Sequence, residues 1–193
     1  MLLGRLAAVA AIALTCLAVA PSASAAMSAK EKEQARADVQ KMARETLDRL
    51  YRTQPGAKAV VAKAAGYAVF SNFGMKIFFA GGGKGEGVAI NNQTKKPVYM
   101  KMVEVQAGLG MGAKKFRLVW VFENQKDLSN FINSGYEFGG QASAAAKKGS
   151  EGGAYAGAAS VSPGVWLYQL TDEGLAAEIT AKGTKYYKND DLN

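Results

Sequence analysis

The sequence predicts an α+β fold: N-terminal amphipathic helices packed on a curved, largely antiparallel sheet or barrel-like sandwich. Three observations predict it. Residues 27–52 hold a helical apolar period with no Gly or Pro. From Tyr67 onward the pattern changes to short strand-like runs parted by polar turns. Glycines then recur at every second position in two later segments. Helices first and strands after is the element order of an α+β domain.

The first helix has its stripe at Ala35, Val39, Met42, Ala43, Thr46, Leu47 and Leu50. Lys41–Glu45, Glu45–Arg49 and Asp48–Arg52 put opposite charges four apart on the wet side. A shorter helix follows, with Pro55 at its first turn, an Ala- and Val-rich run over 57–64, and Gly66 as its stop. Tyr67–Phe70 and Lys76–Ala80 read as two strands parted by a turn at Ser71–Gly74. Val88–Ile90, Pro97–Val105, Phe116–Glu123, Val165–Tyr168 and Ala176–Thr180 read as further strands. Asn124 opens a short helix whose face is Leu128, Phe131 and Ile132, ending before Gly135. Residues 139–160 are rich in Gly, Ala and Ser and read as small-residue strands.

The beginning of the chain has the layout of a secretory signal peptide: Arg5, an apolar core over 6–20, then Ser-Ala-Ser-Ala. The apolar run is shorter than the roughly 20 residues that span a bilayer. Cleavage is expected after Ala25, with residues 26–193 forming a single domain. Cys16, the one cysteine, follows Ala13-Leu14-Thr15, a poor match to a lipoprotein signal, so ordinary cleavage is expected and the mature chain has no disulfide. The location this implies is periplasmic or otherwise exported.

The chain of 193 residues carries a formal charge of +8, and Arg5 is the leader's one charge. A basic surface favours anionic partners, and export argues against nucleic acid among them. Histidine is absent, which removes the commonest general base and the commonest metal ligand. No G-x-S-x-G and no metal-ligand cluster can be assembled. The sequence therefore points to no enzyme, no catalytic residue, no metal and no cofactor.

The stretch GGGKGEG at 81–87 resembles a phosphate loop but fails in detail. Gly83-Lys84 is followed by Gly85 where a P-loop needs Ser or Thr, and Val88–Ile90 continues as a strand where a dinucleotide fingerprint opens a helix. Gly81, Gly83, Gly85 and Gly87 are spaced by two, as are Gly108, Gly110 and Gly112. On a strand this spacing strips one face of side chains, so the strand can bend sharply or let another element approach. Lys84 and Glu86 read as an exposed ion pair at a turn.

The segments GYAVFSNFGMKIFFAGGGKGEGVAI (66–90), VQAGLGMGAKKFRLVWVFEN (105–124) and GYEFGGQASAAAKKG (135–149) resemble the SYLF family of lipid-binding domains in motif, order and approximate spacing. The similarity covers most of residues 55–185. One departure is Ser71, where the family more often has proline. The resemblance implies binding of acidic phospholipids without catalysis. In eukaryotic members that binding is coupled to actin, a partner that an exported protein would not meet.

The basic clusters that would serve an anionic membrane are Lys95-Lys96, Lys114-Lys115 with Arg117, and Lys147-Lys148. Each cation near an anionic surface adds about 1 kcal/mol. The expected protein is thus a peripheral binder of anionic phospholipid at a cell-envelope membrane. The alternative is an envelope interaction protein that binds a protein partner or an acidic glycan.

Overall fold

The computed structural model describes residues 27–77, 80–107, 112–138, 147–148, 155–172, 174–175 and 183–193. The expected leader, Gly108 and Gly110, residues 139–146 and 149–154, and the strand expected over 176–180 lie outside them.

Helix α1 spans Ala29–Thr53. It starts where it does because Ser28 and Glu31 form a reciprocal cap. Glu31 N–H donates to Ser28 Oγ at 3.3 Å, and Ser28 N–H donates to the Glu31 carboxylate at 2.7 Å. The Ser28 hydroxyl, which donates to the Glu31 carboxylate at 2.7 Å, and then the Ser28 N–H hold the Glu31 carboxyl below the usual carboxylate range. The buried stripe is Val39, Ala43, Thr46 and Leu50, spaced by four, three and four. Pro55 then leads into α2, Gly56–Lys63. The exit of α2 is tied to the sheet by Asn92, whose amide donates to the carbonyls of Val61 at 2.8 Å and Ala64 at 2.9 Å.

Among the described residues ten strands form one sheet, with every pairing between them antiparallel. They are β1 Gly66–Ile77, β2 Ala80–Asn91, β3 Pro97–Ala107, β4 Gly112–Phe122, β5 Tyr136–Phe138, β6 Lys147–Lys148, β7 Ala159–Ser162, β8 Val165–Thr171, β9 Gly174–Leu175 and β10 Thr184–Lys188. Their order is β5-β10-β3-β2-β1-β4-β8-β7-β6, with β9 beside β8. Helix α3, Gln125–Asn133, follows β4 and is capped by Asn124, whose side chain accepts from Asp127 N–H at 2.9 Å. The architecture is the α+β one expected, with two corrections. Ser71–Gly74 is no turn: β1 runs straight through it, paired on both sides. Lys84 and Glu86 lie inside β2 rather than at a turn.

The sheet is strongly curled. In the strand order β10 and β4 are four steps apart, about 19 Å in a flat sheet at roughly 4.8 Å per step. Yet the ring centroids of Trp120 on β4 and Tyr186 on β10 lie 5.3 Å apart, a gap that leaning side chains alone do not close. The inner face is packed with Phe70, Trp120, Phe122, Phe131 of α3, and Tyr186. The outer face sets Val69, Val88, Val119, Val121 and Leu170 against α1 and α2. Leu118 to Phe122 alternate between the two faces and are all buried, so β4 is covered on both sides.

The glycines make the curl possible. A Cβ on Gly87 would lie 2.3 Å from the Phe70 ring and 2.4 Å from the Val69 carbonyl, and one on Gly85 would lie 2.4 Å from the Ser71 carbonyl. The bare face of β2 thus lets β1 and its phenylalanine close in. These glycines sit mid-strand, with no helix after them to hold a phosphate.

Candidate anion-binding surfaces

Lys95 and Lys96 lie in the connection between β2 and β3. Asn91 shapes it, its side-chain oxygen accepting from Gln93 N–H at 2.9 Å and Thr94 N–H at 3.2 Å. Lys95 takes the left-handed conformation, φ 57°, and both lysines are exposed. The connection packs beside α3, and a groove of 460 Å³ runs between them. Lys96 and Lys188 supply its charge, Val98, Leu128 and Ile132 its apolar lining, and Asn91 and Ser129 are among its neutral hydrogen-bonding groups. Among the described residues that line it there is no carboxylate.

Lys114, Lys115 and Arg117 lie within β4. The register sets Lys115 opposite Phe73, seven residues along β1 from the end where Gly66 meets Phe122 and Asn91. At about 3.3 Å per residue this is roughly 23 Å from the lysine turn. Arg117 is half-buried against α1. It donates to Thr46 Oγ at 3.1 Å and lies 3.8 Å from the Glu45 carboxylate. Thr46 in turn donates to the Met42 carbonyl at 2.8 Å, which leaves its oxygen lone pair to accept from the guanidinium. Beside Arg117 is a cleft of 240 Å³ that Lys115, Arg117, Arg49, Ser71 and Asp172 line. Arg49 reaches across from α1 to donate to the Thr171 carbonyl on β8.

Lys147 and Lys148 form the edge strand β6 beside β7. The three clusters are therefore at three places, not one patch: the turn by α3, the α1–β4–β8 cleft, and the sheet edge. Two partners escaped the sequence reading. Lys188 ends β10, a strand signalled only by the alternation in Thr-Lys-Tyr-Tyr-Lys. Arg49 read as a wet-side partner of Glu45, whereas Glu45 faces Lys41 at 4.0 Å and Arg117.

Among the described residues, no group of three His, Cys, Asp or Glu is placed to hold a metal ion, and no helix is long and apolar enough to cross a membrane.

The model of the family described as Ysc84, Las17-binding protein actin regulator, matches residues 103–193. Over those residues the chain is similar to a SYLF-family domain. Beta cell expansion factor A of Aeromonas veronii is 32% identical over 163 residues, which is 84% of this chain and 60% of that protein. SYLF domains are a lipid-binding family, which supports a binding role for this chain. The family match begins within β3, so it takes in the β4 cations and leaves the Lys95-Lys96 turn outside.

Proposed function

We propose that this protein binds acidic phospholipid at a cell-envelope membrane, as a peripheral and non-catalytic partner, through the groove between the β2–β3 turn and α3. The observation that carries the reading is the groove's composition. Two lysines stand over an apolar lining, with neutral polar groups between and, among the described residues, no carboxylate in the lining. Cations meet headgroup phosphates while Val98 and Ile132 take the first methylenes below them. The leader-like start of the chain supports an envelope location.

Vesicle co-sedimentation tests this. The protein is expected to bind vesicles rich in phosphatidylglycerol and not those of phosphatidylcholine, with binding that weakens as salt shortens the screening length. Replacing two cations at about 1 kcal/mol each, Lys96→Glu with Lys188→Glu, is expected to weaken binding by more than roughly tenfold. Equal binding to both lipids at low salt would sink the reading. A stoichiometric protein captured from envelope extract, with vesicles left unbound, would favour a protein partner instead.

A further inference from the structure

The cleft beside Arg117 differs from the groove in kind. Its cations come from two elements that are far apart in sequence: Arg49 from α1, and Lys115 with Arg117 from β4. Ser71 of β1 stands directly across from Arg117 in the sheet register and adds a hydroxyl. Two carboxylates lie nearby, Asp172 in the lining and Glu45 against Arg117, and Glu45 is also drawn toward Lys41. Among the described residues, the cleft gathers three cations beside two carboxylates.

We propose that this cleft binds a phosphate-type oxyanion, a phosphomonoester above all, and that the bound anion fastens α1 to the sheet. Three features support the assignment. Both guanidiniums are already oriented, Arg49 by the Thr171 carbonyl and Arg117 by Thr46, so little side-chain freedom is lost on binding. The bonds named engage Nη2 of Arg49 and Nη1 of Arg117, and the remaining N–H groups of the two forks match the bidentate geometry of phosphate. The volume of 240 Å³ is below the roughly 300–1,000 Å³ of sites for larger organic ligands, which suits a small anion and not a whole lipid. The phosphate could come from a lipid headgroup or from a soluble phosphate compound, and the chemistry of recognition is the same.

Calorimetric titration of the whole protein with inorganic phosphate and with glycerol phosphate, at fixed ionic strength against chloride, tests the assignment. Saturable binding is expected, weakened roughly tenfold by Lys115→Gln and by Arg49→Gln, each loss removing one charge-assisted hydrogen bond. Lys115→Arg is expected to keep it, and circular dichroism checks that each variant is folded. Vesicles carrying phosphatidic acid form the second arm. If they bind in a Lys115- and Arg49-dependent way while the soluble phosphates do not, the oxyanion is a headgroup. If neither source binds beyond chloride, or if binding survives both Gln variants, the proposal is overturned. Lys96→Glu with Lys188→Glu is expected to leave phosphate titration unchanged, so a failure here is separable from a failure of the groove.

Discussion

The two faces of the sheet are built by different rules. The inner face closes on itself: strands four steps apart bring their rings into contact, and Phe70, Trp120, Phe131 and Tyr186 form one aromatic cluster. The outer face is closed by helices laid over it, and there aliphatic residues give way to charged ones along the same strand, Val121 and Val119 buried, Arg117 half-buried and Lys115 exposed. The difference teaches where each property resides. Shape is set inside, where neighbours are many and rigid. Outside, α1 covers only part of β4 and leaves Arg117 and Lys115 at its margin.

That contrast can be broken by substitution. Trp120→Ala empties the middle of the inner cluster, where the surrounding curl is held from several strands and cannot collapse. A loss of about 3–5 kcal/mol in denaturant unfolding is expected. Leu50→Ala removes an equally buried side chain, but from α1, which can shift toward the sheet. A smaller loss is expected, about 2–3 kcal/mol. Were Leu50→Ala to cost as much as Trp120→Ala, the two faces would be equally rigid and the contrast would fail.

Tyr168 sharpens the comparison at the smallest scale. It is fully buried under the helices, and its hydroxyl has no hydrogen-bond partner among the described residues. An unpaired buried hydroxyl costs about 1–3 kcal/mol in part offset by ring packing, so Tyr168→Phe is expected to leave stability unchanged or raise it by about 1 kcal/mol. Burial also pushes the Tyr168 pKa from 10.0 to about 12. A raised folded pKa means that the contribution is complete below pH 10 and is lost as pH rises toward 12. Tyr51, likewise pushed to about 12 by burial, then by Tyr67 and Asp48, falls in the same window. Alkaline unfolding followed in wild type and Tyr168→Phe is expected to show a shallower decline in the variant. An identical decline would remove Tyr168 from the account.

Much of this was legible in the sequence. The helices were, because the stripe ending at Leu50 and the start at Asn124 depend on neighbours within a few positions, although the Ser28–Glu31 cap went unread. So was the purpose of the alternating glycines in β2. What was hidden depends on distant partners. Ser71-Asn72-Phe73-Gly74 looks like a turn because its composition is polar and small, yet two flanking strands supply all its backbone partners. β10 is short and lysine-flanked, and its pairings with β3 and β5, some 80 and 50 residues earlier, make it a strand. The cations were visible as a list of lysines. Which of them share a site was not, since Arg49 meets Arg117, and Lys96 meets Lys188, only through the tertiary fold.

The pairing of β10 with β3 has a kinetic consequence. Tyr186 packs against Phe70, Trp120 and Phe131, so a nascent chain that has reached only β9 lacks one wall of its aromatic interior. Closing that wall joins segments far apart along the chain, which makes it a slow event. Until it happens, rings and unpaired strand edge stand open to other chains, the stage at which a holding chaperone would do most.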